Sequence, residues 1–418
     1  MGRFSARVLP VVAGVSGNLM EWYDFGLYGV LAVTLGKLFF PEGGGLVGLL
    51  AVYGVFAAGY LARVAGGTVI GHIGDRFGRR RALLLSALVM ALATFLAGCL
   101  PTMQTIGIAA PILFTILRLF QGLSVGGEFT TSLSYLIEHA PPRKRAFHGS
   151  FAAMSATTGL LLGSGIGNLL FWVFTPDEIL DWAWRIPFLL ALPMGLLIAV
   201  LRRVLPADAP AEGASSGPSP VVLVLKKHPA LVVQGALLGW GSAAAFYLMA
   251  VFLSSYLTTE HYLDQKSALA VQTLSIATVI LVMPVAGLLA DRMGRRRMVL
   301  ISSVACLVLA WPMLLLLKHG SGMVDFFAAG TFSILVALGF TPYQVWLAEL
   351  FPFELRGSGF GISYNIAAGV FGGATPLIAA ALVQLSGNPA APAALVIASS
   401  LATIATAWTL KDTTAKKI

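Results

Sequence analysis

The sequence predicts an all-α integral membrane protein of twelve transmembrane helices, folded as two pseudo-symmetric six-helix bundles. Three observations carry this. Of 418 residues, 57% are hydrophobic and 11% charged, with a mean hydropathy of +0.86, whereas a soluble domain is about half apolar and about a quarter charged. Windows of about 20 residues with few charges recur along the chain, the length a helix needs to cross a hydrocarbon core of about 30 Å. Finally, the second half of the chain repeats loop motifs of the first.

The expected spans, in order, are 8–36, 46–71, 82–100, 105–137, 147–172, 184–204, 229–257, 267–290, 298–318, 324–349, 358–385 and 391–410. The formal charge of +9 follows the membrane rather than a nucleic-acid surface. With a cytoplasmic N-terminus, 21 of the 27 Lys and Arg fall on the cytoplasmic side. Only Lys37, Arg185, Lys266 and Lys318 fall opposite, and Arg63 and Arg118 lie inside spans. The positive-inside rule therefore places both termini in the cytoplasm. About eight residues precede the first span, which carries acids, so it reads as a retained helix and not a cleaved leader. Cys99 and Cys306 fall within or at the end of apolar spans and read as small packing residues, with no disulfide or metal site implied.

The repeat is too long for a solenoid unit. Gly71-His72-Ile73-Gly74-Asp75-Arg76-Phe77-Gly78-Arg79-Arg80-Arg81 is matched by Gly287-Leu288-Leu289-Ala290-Asp291-Arg292-Met293-Gly294-Arg295-Arg296-Arg297, offset by 216 positions. Glu138, Pro141 and Arg145 recur as Glu349, Pro352 and Arg356, offset by 211. Six spans therefore repeat in parallel, related by an axis along the membrane normal. The expected division is an N-terminal bundle at 1–204, a cytoplasmic linker at 205–228 rich in Pro, Ala, Gly and Ser, and a C-terminal bundle at 229–418.

The loop after the second span, Gly-x-x-x-Asp-Arg-x-Gly-Arg-Arg, with its copy after the eighth, resembles the signature of the major facilitator superfamily over essentially the whole chain. That resemblance implies two bundles rocking about a central site. In physical terms, a tight glycine turn lets two helices approach, while Asp and Arg bond helix ends and loop charges in one state and release them in another. Asp75, Arg76, Arg79, Asp291, Arg292 and Arg295 are the gating candidates here, with Glu138, Arg145, Glu349 and Arg356 from the second repeated pair.

A narrower resemblance begins in the first span. Gly17-Asn18-Leu19-Met20-Glu21-Trp22-Tyr23-Asp24-Phe25-Gly26-Leu27-Tyr28-Gly29 is similar to the start of the metabolite:proton symporters, as are Gln121-Gly122-Leu123-Ser124-Val125-Gly126-Gly127-Glu128 and Trp184-Arg185-Ile186-Pro187-Phe188. The resemblance implies uptake of citrate, 2-oxoglutarate, shikimate and related acids, or of proline and betaine.

Ionisable groups inside spans cost about 2.5–3.5 kcal/mol each at a helix centre, so each needs a reason. Glu21 and Asp24 lie near the middle of the first span at i, i+3, on a face shared with Asn18 and Tyr28. Arg118 lies near the middle of the fourth, with Gln121 one turn on. In the superfamily that arginine is thought to face an acid of the first helix. A guanidinium favours the ionised acid and desolvation the protonated one, so small changes in geometry can move a proton. A static pair is the alternative, and it leaves one of the two acids unpaired. Asp24 is favoured over Glu21 as the proton carrier, since sequence gives depth but not facing. Arg63 either snorkels to the cytoplasm or serves substrate or gate. Val64 stands where relatives often have proline. Glu128, about 15 Å beyond Arg118 along the axis, is expected to pair with arginines at the cytoplasmic gate.

In the second half, Trp240 and Tyr247 share a face of the seventh span, Tyr343 and Trp346 one of the tenth, and Asn365 follows Tyr364 in the eleventh. Aromatics are ordinary packing residues in membrane helices, but together these supply walls and donors for a metabolite. The substrate-binding candidates are thus Asn18, Tyr28, Arg63, Arg118, Gln121, Tyr247, Tyr343 and Asn365. An enzyme is disfavoured, because no phosphate-binding loop, metal motif or activated nucleophile is evident, and all six histidines fall in or beside loops. Drug exporters share a Gly-Pro-x-x-Gly-Gly pattern in the fifth helix, where this chain reads Gly163-Ser164-Gly165, so uptake is favoured.

Among uptake substrates, Arg118 favours an organic anion, since a guanidinium grips a carboxylate bidentately. Betaine or proline would use a cation–π cage from Trp22, Trp240, Tyr247 or Tyr343. Betaine carriers of the family commonly extend into a C-terminal coiled coil, whereas this sequence ends at Ile418, which also places the acid first. No cofactor is expected beyond the coupling ion, a proton with sodium as the alternative. The expected partners are a small carboxylate substrate and the lipid bilayer, with no nucleic acid and a monomer as the functional unit, in a bacterial inner membrane.

Overall fold

The computed structural model describes residues 3–41, 44–77, 79–202, 220–260, 262–317 and 322–414, with the side chains of 3–15, 44, 46, 68–69, 71–72, 74–77, 79–80, 322 and 354 outside the description. Among the described residues there is no strand. Eleven helices are long and apolar enough to cross a membrane, and Arg3–Phe39, 37 residues long, is the twelfth.

In the first half these are α1 (Arg3–Phe39), α2 (Gly44–Phe77), α3 (Arg79–Cys99), α4 (Ala109–Glu138), α5 (Arg145–Val173) and α6 (Pro176–Arg202). In the second they are α7 (Pro229–Thr259), α8 (Gln265–Met293), α9 (Arg295–Leu316), α10 (Gly322–Leu350), α11 (Arg356–Ser386) and α12 (Pro392–Thr409). Every expected span is present. The sixth helix starts earlier than 184, at Pro176, because the Thr175 hydroxyl and the Glu178 side chain cap its first turn reciprocally. At α8, hydrogen bonds from Ser267 and from the Lys266 amide hold the Asp264 carboxyl below its ordinary range as it caps the helix.

Exposed leucines and valines face outward, as lipid allows, and the interiors are built from small residues. A Cβ on Gly159 would sit 2.2 Å from the Leu19 carbonyl, and one on Gly163 2.1 Å from that of Tyr23, so α5 lies backbone to backbone on α1. The halves meet chiefly through α5 against α8 and α2 against α11, two contacts related by the internal repeat, with α1 against α7 closing the centre.

Among the described residues regular helix is interrupted at several places, four of them notable. In α4, Val125–Gly127 is not helical. Turns of π-helix occupy Ile179–Ala183 in α6, Leu248–Phe252 in α7 and Asn365–Gly372 in α11. Such turns rotate the following side chains out of register and recur at functional sites. The expected flexible tether at 205–228 differs in its second part: Pro220–Lys227 is a helix that buries Val224 beside the start of α11. Residues 205–219 of that stretch lie outside the described residues.

Candidate functional site

Along α1, three residues advance the helix by about 300°, so Glu21 and Asp24 sit about 60° apart around its axis. That divergence aims them at different neighbours. Asp24 forms an ion pair with Arg118 of α4 through Oδ2, while its Oδ1 accepts from Gln121 Nε2 at 2.9 Å and from Thr94 Oγ1 at 3.2 Å. Arg118 also donates to Gln121 Oε1 at 3.0 Å, and its guanidinium lies 3.9 Å from the ring centre of Tyr28 and 5.0 Å from that of Phe56. Glu21 pairs instead with Arg63 of α2 through Oε1. All four charged groups are buried.

Two alternatives left open by the sequence can be compared with this geometry. Neither acid of α1 is left unpaired, because the second arginine reaches it. Arg63 does not snorkel: it is 3% exposed, and its Nε donates to Asn365 Oδ1 of α11 at 2.8 Å. Asn365 in turn donates through Nδ2 to the Gly126 carbonyl at 2.8 Å, a group freed by the break in α4. At the break α4 lies so close to α2 that only glycine fits, since a Cβ on Gly126 would lie 1.9 Å from the Gly67 amide nitrogen.

The centre is walled by aromatic rings from both halves. Trp22 meets Phe25, Phe246 and Tyr247 at 5.6, 5.7 and 6.2 Å between centroids, and Phe25 meets Tyr60 at 4.8 Å. The Tyr60 and Tyr247 hydroxyls hydrogen-bond each other across the seam. Buried polar atoms without a partner among the described residues include Trp22 Nε1, Glu21 Oε2, the Tyr343 and Tyr364 hydroxyls and the Gln344 amide. Unmet groups of this kind are costly in a dry interior and mark where a polar ligand would bind. The cavity among Phe25, Tyr60, Arg63, Arg118, Gln121 and Val125 is only about 10 Å³, so the centre is closed around itself.

Most sequence candidates meet here: Tyr28, Arg63, Arg118, Gln121, Tyr247, Tyr343 and Asn365. Others do not. Asn18 turns away and donates to Ser155 of α5 at 3.4 Å. Trp240 stacks on Phe371 at 4.9 Å and is only half-buried, outside the cage. Trp346 diverges from Tyr343 and donates to the Lys411 carbonyl at 3.0 Å. Sequence reasoning passed over Phe56, Tyr60, Thr94 and Gln344, which no local pattern separates from ordinary packing residues. Their register against α1 makes them part of the site.

The gating candidates lie at the end of the bundle that carries the basic loops. Asp291 accepts from the Ala146 and Phe147 amides at 3.0 and 2.9 Å, capping the N-terminus of α5 in the other half. Arg295 reaches Asp291 at 3.0 Å and Glu349 at 3.3 Å. Arg145 is buried within electrostatic reach of Glu349, which also accepts from Thr413 at 2.6 Å. Arg356 bridges the seam to Glu138 at 3.0 Å, and Arg292 is exposed. Glu128 pairs with Arg202 at the end of α6 at 2.6 Å. The side chains of Asp75, Arg76 and Arg79 lie outside the described residues. At the opposite end, the Tyr53 and Ser255 hydroxyls meet at 2.5 Å.

The family model described as the Major Facilitator Superfamily matches residues 16–374 and again 236–417. The chain is 35% identical over 420 residues to a proline/betaine transporter of Escherichia coli K12, covering 96% of this chain and 83% of the relative. It is 33% identical to a citrate-proton symporter of Klebsiella pneumoniae, covering 93% and 88%. Among solved structures, the partially occluded inward-open xylose transporter XylE of E. coli superposes with a TM-score of 0.76 at 15% identity, covering 98% of this chain and 99% of that one. That last likeness bears on the fold alone. With the family model spanning most of the sequence and relatives above 30% identity over nearly all of it, the chain belongs to the major facilitator superfamily, as a membrane transporter and not an enzyme.

Proposed function

We propose that this protein is a proton-coupled symporter that takes up a small carboxylate-bearing solute by alternating access, and that the solute is a zwitterion of the proline or betaine type. The sequence alone places a di- or tricarboxylate first. One observation shifts the balance: both guanidiniums of the centre, Arg63 and Arg118, are already matched one-to-one by carboxylates, inside a wall of aromatic rings. A tricarboxylate would bring several negative charges into a centre with no spare cation. Each uncompensated charge at such depth costs about 2.5–3.5 kcal/mol by insertion scales. A zwitterion adds no net charge. Its ammonium can lie against Trp22, Phe25, Phe56, Tyr60 or Tyr247, at about 0.5–2 kcal/mol per favourable ring.

The relatives support both halves of this reading, since one is named for proline and betaine and another for citrate and protons. The proton is the natural coupling ion for two carboxylate–guanidinium pairs held out of water, because protonating either acid releases its arginine. The basic end faces the cytoplasm by the positive-inside rule, in a bacterial inner membrane. The Asp291, Glu349 and Glu138 clusters are then the cytoplasmic gate, and a monomer holds the complete site.

The test is thermal stabilisation of the purified protein by glycine betaine, L-proline, citrate and 2-oxoglutarate at several pH values. A ligand at 100 times its Kd stabilises by about 2.7 kcal/mol. Stabilisation by betaine or proline is expected; stabilisation by citrate or 2-oxoglutarate alone would return the organic acid to first place.

A further inference from the structure

We propose that Glu21, rather than Asp24, takes up the coupling proton, and that Arg63 and Asn365 carry the change to the opposite half. This rests on the proton-coupled reading above and names the group that performs it.

The two acids of α1 differ in how completely they are satisfied. Asp24 has Oδ2 on Arg118, and Oδ1 accepts from both Gln121 and Thr94. Arg118 and Gln121 of α4 and Thr94 of α3, whose hydroxyl also lies 2.9 Å from the Met90 carbonyl, surround Asp24, so both of its oxygens already face donors. Glu21 has Oε1 on Arg63 and, among the described residues, no donor on Oε2, although the residue is 1% exposed. A bare carboxylate oxygen in a dry centre is an acceptor waiting for a donor, and the smallest donor is a proton.

The groups facing Glu21 sharpen the contrast. Arg63 and Tyr60 come from α2, Tyr247 from α7 and Tyr364 from α11. Glu128 of α4 adds a like charge, itself matched by Arg202 of α6. A Cβ on Gly17, one turn before Glu21, would collide with both Glu128 and Arg202, so this second acid–arginine pair packs directly against α1 on the side towards the basic end.

The arginines differ as well. Arg118 is bound wholly within the first half. Arg63 touches Glu21 through Nη1 and Asn365 of the second half through Nε, so one rigid guanidinium joins the acid to the seam. Asn365 lies at the first residue of the π-helical turn in α11 and is tied to the break in α4.

The step balances simply. One proton from the aqueous side binds Glu21 Oε2 and converts the carboxylate to a carboxylic acid; no other covalent bond forms or breaks. The Glu21–Arg63 pair goes from neutral to one positive charge, and Arg63 Nη1 is released. The solute carboxylate then takes the vacated place beside Arg63, so the guanidinium is again paired while the loaded centre keeps the single positive charge brought by the proton. Proton and solute therefore raise each other's affinity by the same factor, and once both have left at the far side the Glu21–Arg63 pair is restored.

The experiment is an infrared pH titration of the full chain in lipid nanodiscs, following the C=O stretch of protonated carboxyl groups. The expected result is a band that grows as pH falls, vanishes in Glu21→Gln, persists in Asp24→Asn, and returns with a shifted midpoint in Glu21→Asp. A band that survives Glu21→Gln, one that is lost in Asp24→Asn, or the absence of any titrating band would each overturn the assignment. In proteoliposomes, Glu21→Gln should lose accumulation of L-proline or glycine betaine driven by a proton gradient while retaining exchange between equal pools; uphill accumulation by this variant also overturns it. If the wild type accumulates neither probe nor citrate under a proton gradient, the symport reading fails, and the infrared result still decides which acid is protonated.

Discussion

Arg63 and Asn365, 302 positions apart in the chain, meet at 2.8 Å where the two bundles touch. A hydrogen bond to a charged group contributes about 1.5–3 kcal/mol. The Asn365→Ala substitution should therefore weaken the closed centre by roughly 10- to 100-fold relative to open states, since each 1.4 kcal/mol is a factor of ten. Its measure is the rate at which cysteines placed beside the seam react with a soluble thiol reagent. An unchanged rate in a folded variant would show that the contact does not hold the halves together.

Asp291 anchors the second half to the first by accepting from two amides at the start of α5. Removing its charge in Asp291→Asn should cost the capped state about 1–2 kcal/mol. Transport should slow several-fold while equilibrium binding of the solute stays nearly constant if Asp291 serves as a gate, since it caps α5 at the basic end, away from the aromatic centre. Binding by calorimetry beside uptake in vesicles separates the two; lost binding in a folded variant would refute the gate role.

Gly294 adopts φ of 101° between α8 and α9, a region where a side chain is strained, and a Cβ there would stand 2.7 Å from Asp412 Oδ2. Gly294→Ala should lower stability by about 1–2 kcal/mol. It should also loosen the strap in which Thr414 accepts from the Arg295 amide and Thr413 donates to Glu349. A thermal melt reports the first effect, and proteolysis of the C-terminal segment the second.

One proton entering with one neutral zwitterion moves one positive charge inward. Uptake should therefore be electrogenic, accelerated by an inside-negative potential set with potassium and valinomycin. A tricarboxylate accompanied by one proton would be slowed by the same potential, so the sign of the response separates the two solute classes.

For orientation, a cysteine replacing the exposed Glu178 should label from outside intact cells, and one replacing Met293 only after permeabilisation. The opposite pattern would invert the topology and move the Asp291 gate to the outer face.

The twelve helical spans and the repeat of their loop motifs are legible in the sequence, because each depends on local quantities. A span is a run of apolar residues, and the repeat is a spacing of Gly, Asp and Arg shared by the loops at Asp75 and Asp291. Sequence also put Glu21, Asp24 and Arg118 at one level. What it could not supply was facing. Whether Arg63 reaches solvent or Glu21 depends on how α2 is rotated against α1, and that rotation is set by glycine contacts spread over several helices. Tertiary structure alone decided that Asp24 is saturated by Thr94, Gln121 and Arg118 while Glu21 keeps an oxygen bare. It likewise decided that Trp240 leaves the cage and Tyr60 joins it, and that Asn365 closes the seam. Periodicity determines which residues lie in the membrane, but hydrogen bonding is satisfied only between helices, over a few ångströms that no linear pattern records.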